Sequence, residues 1–540
     1  AGVTGTPGTG REGGDSMGRW RGCRSLGAAA ALLTFVAFGA GAASGQVPRL
    51  PASSDHSARG SLTVLEGSTI FGSWPGLDPA TDTSDAANQD YLNSIYGQLF
   101  EQSHSGAPIP DLASGYKITG GGTTVTLSLR KGVTFQDGTS FNSEAVAFNI
   151  NRDLQPQYAC SCRPNFPISS ITTPDANTVV LQLSRPFAPI ISAFFGEAPN
   201  WIVSPTALQK MGERAFSLTP VGAGPFKVVS DRPNSMLKLT RYSGYWQKGH
   251  PRLVNLSFES IGTDQSAYDA MLAGQAGAYE DFATYNLISQ VKKHFTVAPV
   301  EPSTSGPYVV QLNTTIAPFN NIVARQALYY ATNPGPINKA IYLNLATPTE
   351  SLTGPGDLFY EPKVPGYRTY NLQKAKALVR QLGGLHVTLG GAASGTTGGE
   401  TLTALSAQWA RAGIKTTLLS ETLPQLIQDF HGGKWQAEVQ LAGGYDPALG
   451  LGLSFRYLSH GPFTGVHDPT LDQMINEGAA TVTKSARAKV YSQVFKYISD
   501  QAYSPVLFFT PLYNVAAHSV SGPGLSVPGP QILWEDVSAR

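Results

Sequence analysis

Residues 123–156 constrain the fold most, because strand, turn and helix signals follow one another there in a fixed order. Residues 123–129 alternate apolar and polar side chains, which is the period of a half-buried strand. Two glycine turns follow, and Asn142 or Ser143 can cap a helix whose apolar residues recur every four positions until Pro156. The stretch predicts a strand, a turn and a capped helix.

The rest of the chain continues this mixture, so the predicted fold class is α/β. No internal repeat indicates a solenoid or a propeller. Residues 383–400 are rich in Gly, Ser and Thr and predict a loop around one short strand. Further strands are predicted over 178–183, 236–240, 253–258, 308–312 and 505–509, and further helices over 266–273, 371–382, 401–412 and 485–500.

Length and charge narrow the class of protein. A chain of 540 residues predicts two or three domains. The 38 basic residues against 37 acidic ones give a formal net charge of +1, which disfavours a nucleic-acid binder or a protein drawn to an anionic membrane. The 22 Tyr, 24 Phe and 7 Trp supply enough apolar surface for a large globular protein.

Residues 1–42 predict a leader and a secretory signal peptide. From Met17 a basic region with three Arg precedes an apolar run, 28–43, that ends in small residues. The run is shorter than the roughly 20 apolar residues of a membrane anchor. Cys23 lies before the run, so no cysteine is placed to carry a lipid. We expect an exported protein that is periplasmic, extracellular or associated with the cell envelope.

Cys160 and Cys162 stand two positions apart and leave several interpretations open. A turn could bring their Cα atoms within the roughly 4.4–6.8 Å that a disulfide needs. A labile disulfide and half of a metal site are the functional interpretations, but the metal site lacks two ligands. A local loop staple or two free thiols is favoured, and we predict no metal and no cofactor.

Catalytic motifs are mostly absent from the sequence. G-x-S-x-G, H-E-x-x-H and the phosphate-binding G-x-x-x-x-G-K-[ST] do not occur. A dinucleotide-type glycine pattern at residues 8–13 lies upstream of the signal peptide and is attributed to chance. His460 and His467 are interpreted as polar loop residues. No catalytic residue is predicted, although a Ser/His/Asp triad assembled in space would escape this search.

A series of motifs resembles, in the same order, the signature of the family 5 extracellular solute-binding proteins. These are the dipeptide, oligopeptide and nickel binders of ABC importers. Ordered matches are more specific than any single one, and they extend over roughly 62–536. They include Leu127-Ser-Leu-Arg-Lys-Gly-Val-Thr-Phe-Gln-Asp-Gly-Thr-Ser-Phe141, Pro220-Val-Gly-Ala-Gly-Pro-Phe226, Arg241-Tyr-Ser-Gly-Tyr-Trp246, Tyr268-Asp-Ala-Met-Leu-Ala-Gly274, the start of a helix from Pro318, Tyr445-Asp446-Pro447, and Ser504-Pro-Val-Leu-Phe-Phe509.

The resemblance implies a bilobal periplasmic-binding-protein fold of type II, in its large three-subdomain variant, with a hinge and an interlobe cleft. Lobe 1 would comprise 43–307, lobe 2 would comprise 308–510, and 511–540 would return to lobe 1. The implied function is capture of a peptide-like or other extended polar ligand and its delivery to an ABC transporter permease in the membrane. We expect a monomer without enzymatic activity; the alternatives are a secreted hydrolase acting on peptides or glycans and a transporter-independent sensor.

Several positions are candidate ligand contacts. Trp74 precedes a Pro-Gly turn and Tyr445 lies in a Gly-Gly-Tyr turn, whereas Trp246 and Trp409 are better interpreted as core residues. Asp446 precedes a proline, and we favour a turn role for it over a ligand contact. The full set of predicted contacts is Trp74, Thr83, Tyr308, Gly443, Gly444, Tyr445 and Asp446.

Three departures from the family pattern bear on the ligand. Gly443 stands where dipeptide-binding members carry the Asp that receives the ligand's ammonium group. Residues 383–400 contain no Arg for a peptide carboxylate, and Ala448 stands where nickel-binding members carry His. Strict dipeptide and nickel-chelate specificities are therefore both weakened.

Overall fold

The computed structural model describes most of the chain beyond residue 59. The ranges are 60–67, 76–81, 89–103, 107–158, 160, 162–300, 306–355, 357–392, 397–421, 428–429, 433, 435–442, 446–449, 452–461, 463–526 and 532–540. The predicted leader and signal peptide, 1–42, lie outside these residues. Among the described residues, no helix is both long enough and apolar enough to cross a membrane.

The described residues form 21 β-strands. They are β1 Ser61–Gly67, β2 Phe100–Gln102, β3 Pro108–Pro110, β4 Ala113–Thr119, β5 Thr124–Leu129, β6 Ile168–Asp175, β7 Thr178–Leu183, β8 Phe226–Arg232, β9 Met236–Arg241, β10 Asn255–Ile261, β11 Ala278–Phe282, β12 Thr296–Val300, β13 Tyr308–Leu312, β14 Thr347–Pro348, β15 Leu385–Ala392, β16 Ile414–Glu421, β17 Ala437–Leu441, β18 Val506–Phe509, β19 Leu512–Ala516, β20 Val520–Ser521 and β21 Ser538–Ala539.

The α-helices alternate with these strands along much of the chain. They are α1 Gln89–Tyr96, α2 Ser143–Asp153, α3 Pro205–Met211, α4 Glu213–Phe216, α5 Asp264–Leu272, α6 Ile288–His294, α7 Ile322–Ala331, α8 Pro334–Ile341, α9 Leu372–Gln381, α10 Thr397–Arg411, α11 Leu453–Arg456, α12 Pro469–Ala480 and α13 Lys484–Asp500.

The described residues form three larger sheets and two two-stranded ones, β2-β3 and β20-β21. The first has seven strands in the order β12-β19-β11-β1-β10-β9-β8, the second has six in the order β14-β18-β13-β17-β15-β16, and the third has four in the order β4-β5-β7-β6. The first sheet draws its strands from 61–300 and 512–516, and the second from 308–441 and 506–509. The chain therefore passes between the two large sheets twice. This grouping agrees with the expected lobes, whose boundaries stay a prediction.

Helix α2 shows how local sequence builds one of these elements. The Asn142 side chain accepts a hydrogen bond from the Ala145 backbone N–H at 2.9 Å, and so caps the helix as predicted. Val146 and Ile150 are fully buried on one face. The helix ends at Asp153, before Pro156, which cannot continue the hydrogen-bond ladder.

The described residues form three apolar cores, which the sheets share. Val64 and Phe258 of the first sheet belong to one core, Val310 and Trp409 to a second that also includes strands of the first sheet, and Leu127 of the third sheet to a third that also includes strands of the second. All five of these side chains are fully buried. Burying one large aliphatic or aromatic side chain contributes about 1.5–3 kcal/mol to folding. Trp409 is thus the core residue that we predicted. The other predicted core residue, Trp246, is partly buried beneath the guanidinium of Arg130, which lies 4.1 Å from its ring centre.

Candidate functional site

The parallel strands of each large sheet end at one edge, which is a candidate site for ligand binding. In the first sheet, β1 runs parallel to β10 and β11. In the second, β15 runs parallel to β16 and β17. Open α/β sheets bind ligands beyond the carboxyl ends of their strands. In the sequence Trp74 comes after β1 and 443–445 come after β17; that these predicted contacts lie at the two edges stays a prediction.

Tyr308 lies where the chain enters the second sheet and belongs to a cluster of four aromatic rings. Its ring centre is 6.4 Å from that of Phe508, which lies 4.6 Å from Tyr342, which in turn lies 5.2 Å from Tyr285. We call these four residues the crossover cluster. The Tyr285 hydroxyl donates to the carbonyl of Pro511, on the connection between β18 and β19, at 2.9 Å. The cluster thus packs against a crossover between the two large sheets.

The crossover cluster adjoins the end of β17. Tyr308 pairs with Leu441, and the Ala442 backbone N–H donates to the Pro307 carbonyl at 2.9 Å. Burial raises the pKa of the Tyr308 phenol, so this group stays protonated and able to donate a hydrogen bond. The structure therefore brings Tyr308 beside the segment that leads into Gly443.

Asp446 is held by groups of the protein. Two nitrogens of Arg487 donate to its two carboxylate oxygens at 2.8 and 2.7 Å, and the Ala448 N–H donates to the carboxylate at 3.0 Å. Burial works to lower the pKa of Arg487, but the Asp446 carboxylate outweighs it, and the pKa is raised. The Leu449 N–H donates to the Asp446 carbonyl at 2.9 Å, which closes the turn. This geometry fits the favoured turn role, and a direct ligand contact by Asp446 stays a prediction.

Trp74, Thr83, Gly443, Gly444 and Tyr445 lie outside the described residues, and their roles stay predictions. Cys160 and Cys162 are described and form a disulfide, with both residues buried. The described residues contain no group of three or more His, Cys, Asp or Glu that could hold a metal ion.

Sequence reasoning missed a group of buried carboxyls at the carboxyl edge of the first sheet. Glu66 lies near the end of β1, Asp90 in α1 and Glu280 in β11, with at most 5% of each residue exposed. Glu280 lies within hydrogen-bonding reach of both other side chains. We call these three residues the edge carboxyls. Burial raises the pKa of Asp90 to about 7 and those of Glu66 and Glu280 well above their usual range.

A buried arginine at the end of α11, whose side chain contacts the second sheet, was also missed. Arg456 donates from one nitrogen to the side-chain oxygens of Gln311 at 2.8 Å and Gln440 at 2.6 Å. Burial lowers its pKa to about 10. The sequence signal was weak, since Gln311 and Gln440 lie in separate strands far apart in the chain. Their cross-strand proximity depends on the pairing of β13 with β17.

These features define a class of protein: a binding protein built from two sheet-containing lobes, with a candidate ligand edge on each. The family model of the bacterial extracellular solute-binding proteins, family 5, matches residues 107–459. The chain belongs to this family, which confirms the resemblance found in the motifs. It is a solute-binding protein of the ABC-importer type, as predicted.

Curated relatives agree with this assignment. The glutathione-binding protein GsiB of Salmonella typhi is 29% identical over 367 residues, which cover 67% of this chain and 70% of the relative. The protein of the same name from Escherichia coli (strain K12) is 28% identical over the same lengths.

Solved structures establish the fold. The binding protein AgaA of A. tumefaciens, in complex with agropinic acid, superposes with a TM-score of 0.76 at 23% identity, over 89% of this chain and 99% of that one. DppA from Helicobacter pylori, in complex with a peptide, gives 0.73 at 20% identity over 89% and 98%. The fold is the bilobal periplasmic-binding-protein fold, which confirms the predicted fold class.

Proposed function

We propose that the protein captures an extended polar ligand, peptide-like in its pattern of hydrogen-bonding groups, between its two lobes and presents it to an ABC transporter permease. The observation that carries the proposal is the pair of carboxyl-end edges, one on each large sheet, in a chain that crosses between these sheets twice. A ligand that contacts both edges binds the closed form better than the open form and shifts the equilibrium towards closure.

The ligand class follows from what the binding segments supply. Without an Asp at position 443 or an Arg in 383–400, the cleft offers neither of the family's two charged contacts for peptide termini. Backbone groups and aromatic rings then dominate recognition, which suits a ligand held along its length. Relatives named for glutathione binding, and structures with bound agropinic acid or peptide, support a polar organic ligand.

We further propose that the protein is exported through the signal peptide of 1–42 and acts as a monomer without enzymatic turnover. Fractionation of producing cells should recover it outside the cytoplasm, with an N-terminus near residue 43. Recovery of a cytoplasmic chain that retains its leader would contradict this part of the proposal.

A thermal-shift screen of the purified protein tests the ligand class. The panel comprises dipeptides, tetra- to octapeptides, glutathione, agropinic acid, oligosaccharides and nickel–histidine complexes. A ligand at 100 times its Kd adds about 2.7 kcal/mol to the free energy of unfolding, which raises Tm measurably. Hits should be followed by small-angle X-ray scattering, where closure lowers the radius of gyration. If no compound both raises Tm and causes closure, the proposal fails.

Gly443→Asp supplies a matched gain-of-function variant. If 443 lies beside the ligand, the new carboxylate should improve binding of peptides with a free ammonium terminus. A hydrogen bond to a charged group is worth about 1.5–3 kcal/mol, or roughly tenfold or more in Kd. Peptides with an acetylated amino terminus serve as controls and should not gain. Equal affinity changes for both peptide forms would contradict this placement of position 443.

A further inference from the structure

The last described residues, 532–540, form a segment that folds back onto the first sheet; we call it the C-terminal segment. Trp534 is fully buried, and its ring meets that of Phe258, on β10, edge-on at 5.9 Å. Strand β21 pairs with β20, and the Arg540 N–H donates to the Ser519 carbonyl at 3.1 Å. The segment is thus fixed by one aromatic anchor and a short ladder.

The edge carboxyls bind the start of this segment. The backbone N–H of Ile532 donates to a carboxylate oxygen of Asp90. Glu280 bridges Asp90 and Glu66, and two carboxyl groups can share a hydrogen bond only while one of them keeps its proton. One carboxylate oxygen of Glu66 and one of Glu280 are buried with no hydrogen-bond partner in the described part of the chain. The carboxylate of the neighbouring Asp281 raises the pKa values of Glu66 and Glu280 further, because its negative charge opposes their ionisation.

A second group of carboxyls holds the middle of the segment. Glu535, in the segment itself, interacts with Glu101 on β2 and with Asp111, and we call these three residues the clasp carboxyls. Glu535 is 8% exposed, and one of its carboxylate oxygens is buried without a partner among the described residues. Burial raises the pKa of Glu101 to about 8, that of Asp111 to about 7, and that of Glu535 well above its usual range.

The groups around the clasp carboxyls do not neutralise them. Arg130 is the cation that acts on Glu101 and Asp111, and it lowers both pKa values without cancelling the effect of burial. His250 lies 3.1 Å from a carboxylate oxygen of Asp536 and 3.1 Å from the Glu535 carbonyl. The other titratable groups around the edge carboxyls are Asp264, Tyr279 and Asp281. Those around the clasp carboxyls are Arg130, Tyr245, His250 and Asp536.

We propose that the edge carboxyls and the clasp carboxyls form a proton-dependent clasp, which keeps the C-terminal segment docked while the carboxyls hold their protons and releases it when they ionise. Buried carboxylates placed side by side repel one another, and they lose the hydrogen bonds that a retained proton allows. Moving the segment out lets water reach Glu535 and Asp90 and relieves both costs. The hydrogen bond from the Ile532 N–H to Asp90 acts the other way, because it strengthens when Asp90 ionises. Burial outweighs it, since the pKa of Asp90 is raised in spite of this bond, and ionisation therefore favours release at both points where the segment is held.

The sign of the pH dependence follows from the raised pKa values. The docked form keeps protons that the released form loses above roughly pH 4. Docking is therefore strongest in acid, weakens as the pH rises, and is lost as the pH passes the range of about 7 to 8 to which burial raises the pKa values of Asp90, Asp111 and Glu101.

Hydrogen–deuterium exchange of the ligand-free full chain tests the clasp. After correction for the intrinsic pH dependence of exchange, protection of amides in 532–540 should fall at least tenfold between pH 6 and pH 9. Amides of α13 are the internal reference and should keep their protection. The test needs no ligand, so it can fail or succeed independently of the proposed function.

Variants make the test specific. Glu101→Gln with Glu535→Gln removes two ionising groups and should flatten the loss of protection, whereas Glu144→Gln, at an exposed position of α2, should leave it unchanged. If the double variant does not fold, Asp90→Asn provides the same comparison at the other holding point. Constant protection of 532–540 from pH 6 to 9, or an unaltered pH response in the Gln and Asn variants, overturns the clasp.

Discussion

Asp446→Asn tests the structural role of Asp446, its buried ion pair with Arg487. The amide keeps the size of the side chain but removes the charge opposite Arg487. Both partners are nearly inaccessible to solvent, at 1% and 6% exposure. Removing one partner of a buried ion pair costs about 3–5 kcal/mol, because the other charge stays buried without compensation. The free energy of unfolding should fall by that amount.

The expected change in Tm follows from the size of the folded body. Unfolding entropy is about 2.1 cal/mol/K per residue, or about 1 kcal/mol/K for a unit that spans Ser53–Arg540. Asp446→Asn should therefore lower Tm by about 3–5 °C in differential scanning calorimetry at pH 7.

Two further variants decide whether the reasoning holds. Asp500→Asn removes one partner of the half-exposed pair Lys496–Asp500 and should change the free energy of unfolding by less than about 0.5 kcal/mol. Adding Arg487→Met to Asp446→Asn removes the stranded charge and should recover part of the loss in Tm. The reasoning is refuted if Asp446→Asn is no more destabilising than Asp500→Asn, or if adding Arg487→Met to Asp446→Asn lowers Tm further.

Two other predictions concern packing and buried charge. Gly222→Ala should lower Tm by several degrees in a thermal melt, because the added Cβ would come within 2.4 Å of the Ile95 carbonyl oxygen. Gly115→Ala, with open space around its Cβ, should leave Tm nearly unchanged, and equal effects of the two variants would contradict the packing argument. Asp153→Asn should raise Tm by about 1–3 °C at pH 8 and much less at pH 4. Burial raises the pKa of Asp153, so the folded chain loses stability as the pH rises and this carboxyl ionises, and the amide removes that loss. An equal gain in Tm at both pH values would point to another cause.

Local signals predicted the elements whose pattern lies within a few residues. The alternation over 178–183 and 308–312 corresponds to β7 and β13, and the capped helix after Asn142 is α2. The regular structure in the Gly-rich stretch 383–400 was underestimated. Its one strand, β15, has eight residues, and α10 already begins at Thr397. Pairing with β16 and β17 on its two sides holds β15 extended in spite of its glycines.

The candidate site was predicted only where its chemistry is local. An Asp before a proline indicates a turn, and Asp446 forms one, but nothing near it in sequence announces Arg487, 41 positions away. The edge carboxyls come from β1, α1 and β11, so no spacing rule could assemble them. Elements β1 and β19 were missed for a related reason, since their neighbours in the sheet lie far from them in the chain.

The position of β19 governs the order in which the molecule can be completed. This strand lies between β11 and β12, both of which are synthesised roughly 200 residues earlier. Until residue 516 has emerged, these two strands each present an unpaired edge, and the sheet that holds the first strand of the fold stays unfinished. Completion of this sheet therefore waits for the synthesis of β19. That delay is compatible with the proposed export, and it makes early termination of synthesis a route to edge-to-edge aggregation.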